Sequence, residues 1–134
     1  MKRLIQFLFL LPLAGLFAQT VPLFDIDLRI RVVEDNLLYV VVQIDNRSGR
    51  TVSEIEGFIT EVDPSLHIVS EKKVTHLHSY EAPFGPGQTI IRGLTYPYEK
   101  TQDYRYRYHI SKIRFTKDSN IYMYSPVIGL VRIE

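Results

Sequence analysis

The sequence contains neither cysteine nor tryptophan among its 134 residues. Without cysteine, the chain has no disulfide, no thiolate metal ligand, no catalytic thiol and no cysteine that could carry a lipid. Without tryptophan, it also lacks the buried tryptophan that packs on a disulfide in antibody domains. The fold must therefore be stabilised by its hydrophobic core alone.

An excess of charge of either sign is lacking as well. The chain has 16 Lys and Arg against 15 Asp and Glu. Binding to nucleic acid through its phosphates requires a basic surface, and binding to an anionic membrane requires a polybasic segment. The composition favours neither partner, and we expect no nucleic acid.

Sequence motifs of enzymes are missing too. The chain has no Gly-x-Ser-x-Gly motif for a nucleophilic serine. Gly85 and Gly87 form only part of a phosphate-binding loop, because no third glycine and no predicted helix follow. Asp25 and Asp27 share a face, but they alternate with apolar residues as solvent-facing strand residues do. We therefore predict a protein that is not an enzyme and has no cofactor.

The first twenty residues carry the clearest functional signal. Lys2 and Arg3 precede an apolar run over residues 4–17, and the polar chain begins after Ala18. This order is typical of a secretory signal peptide, which we assign to residues 1–18. Leu16 departs from the small residue preferred three positions before the cut.

The alternative is an uncleaved membrane anchor. A spanning helix needs about 20 apolar residues, and this run is shorter and contains Pro12. We therefore expect a cleaved protein, residues 19–134, that is periplasmic or secreted and has no stable membrane span.

The remainder of the chain predicts one all-β domain. Residues 25–32 alternate strictly, with Ile26, Leu28, Ile30 and Val32 on one face. Residues 37–45 are almost continuously apolar, which predicts a central strand covered on both faces. Turn signals separate further predicted strands at 51–62, 66–69, 74–77, 89–96, 104–115, 121–124 and 127–133.

Two of these predicted strands contain an irregularity. Gly57 inside 51–62 indicates a bulge, and a change of phase in 104–115 indicates another near Ser111 and Lys112. About seven to nine short strands without a helix predict an immunoglobulin-like antiparallel β-sandwich behind the signal peptide.

Three short segments within residues 38–124 resemble a known class of domain. They are Val42-x-Ile44-x-Asn46-x-Ser48-x-Arg50-Thr51-Val52, Gly85-Pro86-Gly87-Gln88-Thr89 and Ile113-x-Phe115-x-Lys117-Asp118-Ser119-Asn120-Ile121. They are similar to segments of small bacterial exported FxLYD-type domains, although the Phe-x-Leu-Tyr-Asp motif itself does not occur here. The resemblance implies a β-sandwich in the cell envelope without catalytic residues.

Two histidines are the first candidates for a metal site, with His67, His109 and Glu81 as possible further ligands. His76 and His78 are two residues apart and would share a face of a strand, where a third ligand would be needed for Zn²⁺ or Cu²⁺. No spacing in the sequence supplies that ligand. We therefore expect solvent-facing histidines and no metal.

The segment Tyr104-Arg105-Tyr106-Arg107-Tyr108 alternates aromatic and basic residues. On a strand, one face would be a row of tyrosines and the other a cationic stripe. Tyrosine and arginine are frequent in protein-binding surfaces, so this segment is a candidate interaction face. The alternative is a half-buried strand with its tyrosines in the core and its arginines in solvent.

Together these features predict a non-catalytic exported module of the bacterial envelope that is structural or binds another envelope protein. The alternative is a periplasmic protein that binds a metal through its histidines or a small ligand at the tyrosine-rich face.

The signal-peptide assignment predicts the N-terminus of the exported protein. Because Ala18 would be the last residue removed, intact-mass measurement should show a chain that begins at Gln19, with or without cyclisation to pyroglutamate. Soluble exported protein that retains Met1 would contradict the assignment.

Overall fold

The computed structural model describes residues 21–134, and the all-β class predicted for them is confirmed. The predicted signal peptide, residues 1–18, and the start of the exported chain lie outside the described residues. Residues 21–134 form no helix, and thus none that could cross a membrane. The eight strands are β1 (Phe24–Glu34), β2 (Leu37–Asn46), β3 (Val52–Val62), β4 (Ile68–Leu77), β5 (Thr89–Pro97), β6 (Arg105–Phe115), β7 (Tyr122–Ser125) and β8 (Gly129–Arg132).

The strands form two antiparallel sheets of unequal width. One sheet has three strands in the order β1-β2-β5, and the other has five in the order β4-β3-β6-β7-β8. Their facing side chains build a shared hydrophobic core, in which Phe24 of the small sheet packs against Phe115 and Tyr124 of the large one. β4 and β5 lie beside one another at one side of the two layers. At the other side, β1 ends the small sheet while the large sheet continues.

The central strand of the small sheet is β2, as predicted. Val40, Val42 and Ile44 are fully buried, which confirms their place in the core. The prediction that β2 is covered on both faces is wrong, because every second residue is only half-buried. The small sheet packs against a single layer, so its other face meets solvent despite the apolar sequence.

The bulge predicted at Gly57 is not in β3. The register between β3 and β6 shifts beside Glu56 and Gly57, but the extra residue belongs to β6, and β3 alternates without interruption from Ile55 to Glu61. A Cβ at position 57 would collide with the Tyr108 ring and the His109 carbonyl. Glycine is needed here because the tyrosine of the neighbouring strand lies directly against the backbone.

The bulge predicted near Ser111 and Lys112 is present in β6. Gly57 pairs with Ile110 and Glu56 pairs with Lys112, so Ser111 is the extra residue. The inward-facing positions change phase there, and Ile113 continues the buried face that Ile110 ends. This bulge lets one strand direct tyrosines inward along its first half and Ile113 and Phe115 inward along its second.

The two weak strands predicted at 66–69 and 74–77 form the single strand β4. Leu66 is outside it, in a turn with a φ of 69°. The polar residues 70–73 continue the strand because β4 is at the edge of its sheet, where solvent accepts their side chains.

A fully buried asparagine connects two of the three chain crossings between the sheets, β2 to β3 and β4 to β5. The Asn46 side chain donates to the carbonyl oxygens of Arg50, at 2.8 Å, and Phe84, at 3.2 Å. Its own oxygen accepts bonds from the Ser48 N–H and hydroxyl. Its backbone pairs with the 85–88 turn, where the Gly87 N–H donates to its carbonyl at 2.7 Å.

The buried position of Val42 predicts the cost of truncating it. Val42→Ala should lower the free energy of unfolding by about 1–3 kcal/mol, because it removes apolar burial and leaves a cavity. Val41→Ala, on the half-buried face of the same strand, should cost less than about 1 kcal/mol in the same urea titration. Equal losses for the two variants would contradict the packing described here.

Candidate binding groove

A groove runs along the side of the molecule where the small sheet ends. One wall is the inward-facing row of β1 and the other is the row of tyrosines at the start of β6. We call this the tyrosine groove and define it by Ile26, Leu28, Ile30, Val32, Tyr104, Tyr106 and Tyr108.

The tyrosine groove consists of two adjoining clefts that share Tyr106. The larger has a volume of about 350 Å³ and lies between Ile26 and Leu28 of β1 and the Tyr106–Ile110 stretch of β6, with Pro126 at its border. The smaller, about 270 Å³, lies below Ile30 and Val32 and reaches the 98–104 loop. The groove exists because five strands extend past three.

The candidate interaction face predicted from the sequence is divided between two sides of β6. Tyr104, Tyr106 and Tyr108 are half-buried along the groove, whereas Arg105 and Arg107 are exposed. This burial matches the alternative drawn from the sequence, a half-buried strand whose tyrosines face inward and whose arginines face solvent. It also leaves the tyrosines reachable, because they line an open groove rather than a closed core.

The Tyr106 hydroxyl is fixed by a buried carboxylate. It donates to Glu61 at 2.6 Å, and Glu61 also accepts a bond from the Ser70 hydroxyl at 3.1 Å. Burial, followed by the bond to Glu61, raises the pKa of Tyr106 well above its usual value. Glu61 was not predicted as a functional residue, although alternation from Ile55 and Ile59 places its side chain on the inward face of β3.

Tyr96 extends this aromatic cluster from the small sheet. Its ring lies 5.0 Å from that of Tyr106, and Lys72 lies above it at 4.4 Å. Burial, and then the charge of Glu61, raises the pKa of Tyr96 to about 12. Its buried hydroxyl has no hydrogen-bond partner within residues 21–134.

The Tyr108 hydroxyl is held by His76. It lies 3.1 Å from the imidazole Nδ1, and the imidazole Nε2 lies 3.2 Å from the Val42 carbonyl oxygen. A carbonyl can only accept, so we assign the imidazole proton to Nε2, and Nδ1 accepts from Tyr108. Burial lowers the pKa of His76 to about 4, so the ring is neutral at pH 7. This chain of bonds joins β6, β4 and β2 across both sheets.

The expectation that His76 and His78 share a solvent-facing side of a strand is wrong. His76 is fully buried, while His78 is exposed beyond the end of β4 and stacks on Tyr80 at 4.9 Å. His76 follows Val74 on the inward face of β4 by regular alternation, and the register shift between Thr75 and Leu77 turns Leu77 inward as well, so His78 no longer shares that face. In residues 21–134, no three His, Asp or Glu side chains come together as a metal would require.

The polar groups of the groove are therefore suited to binding. Tyr106 and Tyr108 remain protonated at neutral pH, and each is oriented by a buried partner. Rings of fixed orientation beside an aliphatic wall provide apolar contact area at little cost in side-chain entropy.

The buried neutral histidine predicts how stability depends on pH. An unfolded histidine titrates near 6.5 and folded His76 near 4, so between these values only the unfolded chain takes up the proton. The contribution of His76 to the free energy of unfolding should be at its full value above about pH 6.5. It should fall by up to about 3 kcal/mol as the pH drops to 4 and stay constant below that. Urea titrations at several pH values would measure it.

Matched variants separate His76 from the exposed histidines. His76→Gln should abolish most of the loss between pH 6.5 and 4, whereas His78→Gln, at an exposed position, should preserve it. An unchanged pH profile in His76→Gln would show that His76 is not the titrating group.

Comparison of the chain with protein-family models, with curated proteins and with solved structures finds no match. A function can thus be proposed only from the chemistry of the groove's own residues.

Proposed function

We propose that this protein is an exported, non-catalytic module of the bacterial envelope that binds another protein through the tyrosine groove. The leader-like segment at residues 1–18 supports export to the periplasm or outside the cell. Two packed antiparallel sheets support an immunoglobulin-like sandwich.

The resemblance to FxLYD-type domains gains support from contacts between its segments. Asn46 belongs to the first of these segments, and its main chain bonds Gly87 and Gln88 of the second. Its side chain reaches Phe84 immediately before that segment. Segments that are far apart in sequence are thus hydrogen-bonded to one another in the structure, which is expected of the conserved parts of one family.

The observation that carries the proposed function is the tyrosine groove with its exposed apolar margin. Ile30 and Val32 on its β1 wall are 47% and 50% exposed. Beyond Pro126, Val127 and Ile128 are 93% and 75% exposed. Exposed apolar residues beside a groove commonly mark a protein-binding site, and tyrosine is among the residues that contribute most to such sites.

A protein fits these features better than a metal or a small molecule. His76 has both ring nitrogens engaged inside the core and is not accessible to a metal. The groove is long and open, and its polar hydroxyls are already paired with Glu61 and His76. An elongated apolar surface suits a strand or loop of a protein better than a compact polar ligand.

Site-specific photo-crosslinking in intact cells tests this proposal. A photoreactive phenylalanine at position 30 should yield covalent protein adducts of the exported chain. The same residue at position 91, which is 50% exposed on the outward face of β5, should yield few. Absence of adducts at position 30, or equal yields at both positions, would contradict the groove as the binding surface.

A further inference from the structure

The edge of the small sheet beside the groove is formed by β1, which pairs only with β2 among the described residues. Phe24 shows which backbone groups point outward, because its N–H and C=O both contact the Tyr124 hydroxyl at 3.4 Å, away from β2. Residues alternate in an antiparallel ladder, so Ile26, Leu28 and Ile30 direct their N–H and C=O groups the same way.

These outward backbone groups belong to the residues whose side chains line the groove. The stretch available for pairing is limited at both ends. The Tyr124 hydroxyl occupies the position at Phe24, and the ladder with β2 becomes irregular between Val32 and Glu34. Between these limits, the residues that offer both main-chain bonds and apolar side chains to an added strand are Ile26, Leu28 and Ile30.

The sequence of this edge is complementary to itself. Residues 25–31 read Asp-Ile-Asp-Leu-Arg-Ile-Arg, so charge changes sign about Leu28 while the apolar positions are symmetric. If two copies pair antiparallel with Leu28 opposite Leu28, each Asp25 faces an Arg31 and each Asp27 faces an Arg29. The apolar pairs Ile26–Ile30 and Leu28–Leu28 then lie together on the groove side.

We propose that the partner at this edge is a second copy of the chain, paired through β1 about a two-fold axis at Leu28. The pairing would join two three-stranded sheets into one of six strands. Val32 of the second copy then lies opposite Phe24, so the Tyr124 hydroxyl must leave its 3.4 Å contacts at Phe24 when the copies pair. This inference rests on the proposed function, because it identifies the protein that binds beside the tyrosine groove as a second copy of the chain.

The hydrogen-bond geometry agrees with this register. Leu28 directs its N–H and C=O outward, so the central pair exchanges two hydrogen bonds, as do the two flanking Ile26–Ile30 pairs. The charged residues fall at the intervening positions, where the side chains of opposite strands approach most closely. Asp27 already contacts Arg29 within one chain at 2.8 Å, so pairing would bring two such ion pairs together across the axis.

Neighbouring registers are disfavoured by charge. Centring the pair on Asp27 or on Arg29 places that residue opposite its own copy. Centring it on Ile26 pairs Asp25 with Asp27, and centring it on Ile30 pairs Arg29 with Arg31. Like charges directly opposite one another destabilise an antiparallel pair, so the Leu28 register is selected.

The charge pattern gives a test with a built-in rescue. Asp27→Arg should weaken dimerisation of the exported chain by about tenfold or more in sedimentation equilibrium, because symmetry replaces two attractive pairs by two repulsive ones. The exchange Asp27→Arg with Arg29→Asp restores opposite charges and should restore the dimer. A wild-type monomer at all concentrations, or a dimer unaffected by Asp27→Arg, would overturn the proposal.

Single cysteines report the register directly, since the chain has none of its own. Leu28→Cys places two thiols opposite each other across the axis and should give a disulfide-linked dimer under mild oxidation. Ile26→Cys, on the same face of the same strand, faces Ile30 of the other copy and should form little disulfide-linked dimer. Equal cross-linking of the two variants, or none in Leu28→Cys, would refute this register.

The two proposals can fail separately. Self-pairing would be refuted if the adducts at position 30 contained only a different protein and Leu28→Cys formed no disulfide-linked dimer. That result would still support the groove as a binding surface. Thermal melts of each variant identify any that fail to fold, and the cysteine pair then tests the proposal without changing charge.

Discussion

The buried amide of Asn46 is the constraint on which the arrangement of the two sheets depends. The chain leaves the small sheet after β2 and returns to it before β5, and both crossings meet at this side chain. Next to it, Val52 and Phe84 exchange two main-chain hydrogen bonds, at 2.8 and 2.9 Å. A buried amide with every polar atom paired is stable only in one geometry, so it fixes how the two crossings lie together.

The connection between the layers continues through His76. Its ring joins the Val42 carbonyl of β2 to the Tyr108 hydroxyl of β6, and Gly57 provides the space that the Tyr108 ring occupies. Loss of the glycine, the histidine or the tyrosine would leave a polar group unpaired or a ring displaced. The orientation of the groove tyrosines is therefore set from inside the core. A surface held in this way loses little conformational entropy when it binds.

Features set by one local pattern were predictable from the sequence. The phase change of residues 104–115 located the bulge of β6, and the apolar residues at 40, 42 and 44 located the centre of the core. Features that depend on how many strands each sheet holds were not predictable. The apolar run of β2 does not reveal that one face lacks a covering layer, and alternation in β1 does not reveal that its wall is half open. Alternation with Val74 already places His76 on the inward face, whereas the extra residue at the end of β4, which turns Leu77 inward and separates His78 from that face, has no signal in the sequence.

The groove and the exposed edge of β1 have the same origin, the smaller number of strands in one of the two sheets. A three-stranded layer cannot cover a five-stranded one, so the inward face of β6 is open where β1 ends. Proteins commonly protect such an edge by charge, irregularity or a covering side chain. Here Tyr124 and the irregular end of β1 protect only its ends. The charges between them would attract rather than repel a second copy of the same strand. In the proposed dimer, a self-complementary centre between two restricted ends would favour a single register.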